Sequence, residues 1–227
     1  MKNIVILTGA GISAESGLKT FRDADGLWEG HDVMEVASPQ GFSRNPALVL
    51  DFYNQRRRQL ATVRPNKAHR ALTALEKQFT VNIITQNVDD LHERAGSTQV
   101  LHLHGELLKA RCTRNENNIF ECTSDIQLGD LSEHGHQIRP HIVWFGEQVP
   151  LMEEAIAITE KADLLIIVGT SMQVYPAAGL IDFVGPATPI YFIDPKPVLA
   201  ANTKQLTVIP KTAEEGVPTL VASLIDR

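Results

Sequence analysis

The sequence is short of cysteine, of positive charge and of long apolar runs, and each shortage excludes something. Two cysteines in 227 residues, Cys112 and Cys122, cannot build a disulfide scaffold. No apolar run approaches the roughly 18 residues of a membrane span. The start, Met1-Lys2-Asn3 into an apolar stretch, lacks the layout of a signal peptide. A formal charge of −6 argues against a general nucleic-acid coat, although a local basic face remains compatible with it. A cytoplasmic protein with neither membrane nor nucleic acid as partner is expected. Repeats, low-complexity tracts and a dividing linker are also missing. What is present, 43% hydrophobic and 21% charged residues, is ordinary globular composition for one large domain or a domain with a small insertion.

Ile4-Val5-Ile6-Leu7 reads as a buried strand and runs into Thr8-Gly9-Ala10-Gly11-Ile12-Ser13-Ala14-Glu15-Ser16-Gly17. Gly9 and Gly11 permit a tight turn and close approach to a pyrophosphate, and small Ala14 permits close packing of the next segment. A following helix start would offer N–H groups to phosphates. A dinucleotide is the first candidate ligand; a turn that needs glycine for shape alone is the alternative. A P-loop is excluded, because five residues separate Gly11 from Gly17 and Leu18 precedes Lys19-Thr20. A hydride-transfer fingerprint requires a second strand ending in Asp or Glu about 20 residues on. Asp23, Asp25 and Glu29 are there, but the stretch from Lys19 to Gly30 has no apolar run. The ligand is therefore not held as a usual hydride-transfer cofactor.

Short apolar runs recur at Asn3–Leu7, Val81–Thr85, Val100–Leu103, Leu164–Val168, Ile190–Ile193 and Leu206–Ile209, separated by helical patterns. Continuous rather than alternating runs fit parallel strands covered on both faces. The fold class is then α/β, a doubly wound, Rossmann-like parallel sheet with a smaller inserted module. Ligands in such sheets sit beyond the carboxyl ends of the strands. The residues there are Thr8 to Gly11, Gln86-Asn87-Val88-Asp89-Asp90, His104-Gly105-Glu106, Gly169-Thr170-Ser171 and Asp194. Between Asp23 and Arg64 a helix is expected with Asn45 as N-cap and Pro46 at its first position, ending before Pro65. Leu107 to Arg139 is polar and without a strong period. One domain over 1–227 is expected. Its large part covers about 1–22, 66–106 and 140–227, and its small module about 23–65 and 107–139.

Gly9 to Gly17 with Thr20-Phe21-Arg22, Thr85-Gln86-Asn87-Val88-Asp89, His104-Gly105-Glu106, Val143-Trp144-Phe145-Gly146-Glu147 and Gly169-Thr170-Ser171 together resemble the sirtuins. Those are NAD-dependent protein-lysine deacylases, and the motifs stand in family order over nearly the whole chain. The resemblance implies NAD as a co-substrate to be cleaved, which accounts for the missing second strand. The acyl-lysine oxygen attacks the nicotinamide ribose and expels nicotinamide. A deprotonated ribose hydroxyl then takes over the acyl group, and water completes release of lysine and 2′-O-acyl-ADP-ribose. Acyl-lysine proteins or peptides are the implied partners; oligomeric state is left open, with a monomer admissible.

Roles follow from the resemblance position by position. His104 matches the base, a task that suits an imidazole. Asn87 would order the ribose and a water, Asp89 would accept from the carboxamide, and Gln86 would contact the ribose. Val88 belongs to the same loop. An Asx-type turn is the alternative for Asn87 and Asp89. Gly9, Ala10, Gly11, Glu15 and Thr20 belong to the NAD loop, with Phe21 shielding the ribose and Arg22 near the phosphates. Gly169, Thr170 and Ser171 form the second phosphate and ribose loop. Asp194 stands where the family generally has Asn, and Ala213 closes an altered adenine motif, Lys211-Thr212-Ala213. Val143, Phe145, Gly146 and Glu147 would offer an edge to an extended peptide; a core strand is the alternative.

Tyr53-Asn54-Gln55-Arg56 resembles the Tyr-x-x-Arg of sirtuins that remove succinyl, malonyl or glutaryl groups. Positions three apart share a helix face, and guanidinium suits a distal carboxylate. Arg57 is also near by spacing, and a solvated basic face over Arg56-Arg57-Arg58 is the alternative. Most sirtuins hold a structural zinc with two Cys-x-x-Cys pairs. Here Cys112 to Asn115 keeps one cysteine of the first pair, and Leu131 and His134 fall at the second. Zinc needs four ligands in a closed site, so none is expected; a substitute from Cys112, Cys122, His134 and His136 has no known signature. The other activities open to this sequence are mono-ADP-ribosyl transfer, NAD hydrolysis and non-catalytic NAD binding.

Overall fold

The computed structural model describes residues 1–19, 27–28, 30–198 and 205–226. In chain order its strands are β1 (Asn3–Thr8), β2 (Leu27–Trp28), β3 (His31–Asp32), β4 (Thr80–Thr85), β5 (Val100–His102), β6 (Gly105–Cys112), β7 (Ile119–Glu121), β8 (Ile138–Ile142), β9 (Leu164–Val168), β10 (Ile190–Ile193) and β11 (Leu206–Ile209). The α-helices are α1 (Val33–Val36), α2 (Pro39–Arg44), α3 (Pro46–Thr62), α4 (Lys67–Leu75), α5 (Leu91–Ala95), α6 (Met152–Thr159) and α7 (Ala213–Ile225).

Six strands form one parallel sheet in the order β11-β10-β9-β1-β4-β5. These are the six apolar runs read from the sequence, and the doubly wound fold class is borne out. Alternation along β1 explains why both faces must be covered. Ile4 and Ile6 pack with Leu72 of α4 and Leu220 of α7. Val5 and Leu7 point the other way, into Ala155 of α6 and the 3-10 segment Ala177–Phe183. Because β1 has β4 on one side and β9 on the other, the winding reverses beside β1. A crevice opens at such a point.

The inserted module contains more regular structure than its composition suggests. β7-β6-β8 is an antiparallel sheet, and it reaches from Gly105 to Ile142, past the expected limits at 107 and 139. β7 is exposed along its length, so it lacks the apolar run that marks a buried strand. Helix α3 forms as read: Asn45 accepts from Leu48 N at 3.1 Å and Pro46 starts the helix. Its Asn54 stitches it to the module through Ile126, by Nδ2 to the carbonyl and from the amide to Oδ1, both at 2.9 Å.

An ion triad ties two strands of the module to the loop that follows β8. Glu147 receives two hydrogen bonds from Arg139 of β8, at 2.8 and 2.9 Å, and one from Arg111 of β6 at 3.1 Å. The Cys112 Sγ takes a hydrogen bond from Ser132 at 3.3 Å, and Cys122 lies against the Ser124 carbonyl. Leu131 is exposed, and His134 approaches Glu133. Among the described residues no three His, Cys, Asp or Glu side chains form a metal-holding group, so Cys112, Cys122, His134 and His136 are not assembled as a ligand set. Metal analysis of the purified protein is expected to find zinc far below one equivalent per chain. One equivalent that resists dialysis would contradict the expectation.

Candidate active site

One cavity of about 480 Å³ opens at the reversal beside β1. Residues from all three strand ends there, Gly9, Asn87 and Gly169, line it together with His104 and the start of α7. Thr20, Phe21 and Arg22 lie outside the described residues. Every other residue expected at the site lines this one cavity: Gly9, Ala10, Gly11, Glu15, Gln86, Asn87, Val88, Asp89, His104, Gly169, Thr170, Ser171, Asp194 and Ala213, and on the module side Tyr53, Arg56, Val143, Phe145, Gly146 and Glu147.

The glycine loop differs in one respect from the expectation. It is followed by two 3-10 turns, Ala10–Ile12 and Ala14–Ser16, rather than by an α-helix start. The amides of Gly9 and Gly11 are already engaged, with Val168 O at 3.0 Å and Gly169 O at 2.8 Å. Glycine is required because two loops touch: a Cβ on Gly11 would stand 2.6 Å from the Gly169 Cα. Gly169 itself adopts φ +61°, which favours glycine. Glu15 accepts from Glu214 N at 2.8 Å, so its carboxylate sits at the N-terminal turn of α7, where negative charge is stabilised.

A chain of polar side chains lines the inner wall. Ser13 Oγ donates to Asp89 Oδ2 at 3.0 Å and accepts from Asn87 Nδ2 at 3.2 Å. Gln86 Nε2 donates to Thr170 Oγ1 at 3.0 Å, bridging two strand ends. Asp194 accepts from Lys196 N at 2.8 Å. Burial pushes the Asp89 carboxyl up to about 6, against the hydrogen bonds from Leu91 N and Ser13. Ser13 has no role assigned by motif, and its only signal in the sequence is a hydroxyl inside the glycine loop. Thr8, Thr85 and His92, to which the sequence assigns no role, support Asn87 from below. Asn87 N donates to Thr85 Oγ1, Thr8 Oγ1 lies 2.8 Å from Thr85 Oγ1, and His92 Nε2 is 3.0 Å from Thr8 Oγ1.

His104 Nδ1 is 3.0 Å from the Gln86 carbonyl. A carbonyl only accepts, so Nδ1 carries the proton and Nε2 keeps a lone pair. Burial holds this imidazole below the usual histidine range, only partly opposed by the Gln86 bond. It is neutral at neutral pH and able to take a proton. Neighbouring His102 differs. It is buried, and although burial works against its charge, Glu93 at 2.8 Å raises its pKa, and it does not line the cavity. Burial, partners and place thus separate the two histidines.

Three adjacent arginines are also separated. Arg57 is buried and donates to Leu107 O and Asn54 Oδ1, while Arg58 pairs with Asp125 at 2.6 Å. Arg56 lines the cavity with Tyr53, its guanidinium 4.4 Å from the Phe52 ring centroid. Of the segment from Val143 to Glu147, Trp144 is buried and Phe145 is exposed, unlike a core strand that would bury both. Val143 N donates to His104 O and Phe145 N to Ala37 O, both at 2.9 Å. Glu147, expected to face a substrate, spends its carboxylate on Arg139, Arg111 and the Trp144 amide.

The fold and the cavity define a doubly wound α/β protein with a dinucleotide-type loop and a neutral histidine in one cleft. Comparison with known proteins agrees. The Sir2 family profile matches residues 9–176, and the chain belongs to that family. A Helicobacter pylori protein named NAD-dependent protein deacylase is 60% identical over 226 residues, covering 100% of this chain and 99% of the relative. A solved Sir2 homologue in complex with NAD superposes with a TM-score of 0.89 at 41% identity, covering 99% of this chain and 90% of that one. A Sir2 structure bound to acetylated peptide gives 0.80 at 28% identity, covering 99% and 94%.

Asp89 yields a pH test. With its carboxyl near 6 when folded and about 3.9 when unfolded, the folded state binds the proton more tightly. Its contribution to stability is full below about pH 4 and is lost as pH rises through about 6. Between pH 4 and 7 the wild type should lose about 2–3 kcal/mol more unfolding free energy than Asp89→Asn, by denaturant titration. Parallel pH profiles would contradict this.

Proposed function

We propose that this chain is an NAD-dependent protein-lysine deacylase that accepts acetyl and acidic acyl groups. The observation that carries the reading is the placement of His104, neutral and with Nε2 unprotonated, in the same cavity as the Asn87–Ser13–Asp89 chain. The lining suits NAD: a glycine-rich turn contacts a second loop, a helix N-terminus stands at the far end, and amides with a carboxylate line the inner wall. Bound NAD supplies the ribose carbon that loses nicotinamide and the hydroxyl that carries the acyl group away. Gly9, Gly11 and Gly169, whose amides are bonded within the protein, would let the phosphates approach closely, Ala10, Thr170 and Ser171 would hold the phosphates and a ribose, and Asp194 and Ala213 the adenosine end. Asp89 and Asn87 would hold the nicotinamide end, because a carboxylate accepts from a carboxamide N–H and an amide both donates and accepts.

His104 takes the proton of the attacking hydroxyl onto Nε2, a transfer that needs a base with a pKa near the working pH. The Gln86 carbonyl keeps the ring in that tautomer. The substrate peptide would lie along Val143 to Gly146, whose Val143 and Phe145 amides are already bonded within the protein. It would use the remaining backbone groups, which demand little of the peptide sequence. Tyr53 and Arg56 stand at the acyl end. Arg56 supplies the positive charge that favours succinyl-type groups over acetyl.

His104→Tyr is expected to abolish nicotinamide release coupled to loss of acyl-lysine; unchanged turnover would overturn the assignment of the base. Arg56→Met is expected to lower kcat/KM for succinyl-lysine peptide about tenfold more than for acetyl-lysine peptide, the loss of one charge-assisted pair. Equal losses on the two peptides would remove the acidic-acyl part of the reading.

A further inference from the structure

Tyr53 enters the cavity with a hydrogen-bonding direction already chosen, and the choice is made by Trp144. A phenol carries one O–H donor and an oxygen that accepts, whereas an indole N–H can only donate. Trp144 Nε1 donates to the Tyr53 oxygen at 2.9 Å. Among the described residues the phenol makes no other hydrogen bond. Its accepting side is therefore used by the protein, and its proton is what remains for a ligand. Tyr53 is buried in the wall of the cavity, and burial pushes its pKa upward, so the proton stays on.

We propose that Trp144 is a specificity-positioning residue: its indole N–H fixes the Tyr53 hydroxyl as a donor toward the far end of the acyl chain. This rests on the acidic-acyl reading and deepens it. Arg56, one turn further along α3, also only donates. Two donors and a positive charge select an acyl terminus made of acceptors, which a carboxylate is. A terminus that brings an N–H or an ammonium finds no acceptor in this pair.

The indole is not free to turn away. Arg139 lies over its ring, 3.3 Å from the centroid, and Phe42 and Tyr53 pack at 5.3 and 6.3 Å between centroids. Its backbone N–H donates to Glu147 Oε2 at 2.8 Å, and Glu147 is clamped by Arg139 and Arg111. The ion triad that joins β6 and β8 to the loop after β8 thus reaches the acyl end of the cavity through Trp144. This gives Glu147 a role one step behind the substrate, not in contact with its acyl group.

The test is a double-mutant cycle with Trp144→Phe and Tyr53→Phe, read as the ratio of kcat/KM for succinyl-lysine to that for acetyl-lysine peptide. Phenylalanine keeps an aromatic ring at each place, and any general loss of folded enzyme cancels in the ratio. Trp144→Phe is expected to lower the ratio about fivefold, mainly through KM for the succinyl peptide, the scale of one ordinary hydrogen bond. Tyr53→Phe should lower it at least as much. The double variant should fall no further than Tyr53→Phe alone, because the indole acts through the hydroxyl. Arg56→Met is measured alongside. If Arg56→Met collapses the ratio while Trp144→Phe leaves it unchanged, or if the Trp144 and Tyr53 losses multiply, the role of Trp144 is refuted and the acidic-acyl reading stands. If Arg56→Met also leaves the ratio unchanged, the acidic-acyl reading fails and takes the proposal with it.

Discussion

Two glycine backbones in contact hold the cleft together. Gly11 donates to the Gly169 carbonyl at 2.8 Å, and a side chain on either would collide with the other loop. The contact lies where the sheet reverses its winding, so it sets how closely the ends of β1 and β9 approach. Everything facing NAD in the proposed mechanism is placed relative to it. Ser13 leaves the same loop to reach Asn87 and Asp89, and Glu15 leaves it to reach the start of α7. Gln86 crosses to Thr170 on the second loop. Close packing of this sort tolerates little change in volume.

The acyl side of the cavity depends on a different kind of interaction. There Arg139 and Arg111 are buried and Glu147 is half-buried between them, and such groups are costly unless paired and hydrogen-bonded. All three side chains are paired here. Burial acts against the Glu147 charge, but its hydrogen bonds from Arg139 prevail and hold the carboxyl below its usual range. The triad presents Trp144 to Tyr53 and ties β6 and β8 to the loop after β8, in a module without an assembled metal site among the described residues. One half of the cleft is shaped by backbone contact at strand ends, the other by charge pairing across the module.

The sheet was legible because its strands are covered on both faces, which writes them as continuous apolar runs such as Leu164–Val168. Helix α3 was legible from its cap, since Asn45-Pro46 has one natural reading at a helix start. β6, β7 and β8 were not, because a small sheet with one strand exposed carries no continuous apolar signal. The site residues at strand ends followed from topology. Their partners did not: nothing in spacing tells that Ser13 bridges Asn87 to Asp89, or that Glu147 faces arginines. Arg56 could not be told from Arg57 until the roll of α3 was known, because both lie within one turn of Tyr53. His104 was selected from eight histidines by resemblance, and its tautomer only by the Gln86 carbonyl.

The central claim is that the cleft couples NAD cleavage to removal of an acyl group from lysine. Mass spectrometry of the small-molecule products, after incubation with NAD and a succinylated peptide, tests it most directly. The account predicts free lysine peptide, nicotinamide and an ADP-ribose heavier by the succinyl group, in equal amounts. Plain ADP-ribose with the succinyl-lysine intact, or ADP-ribose attached to protein, would contradict it.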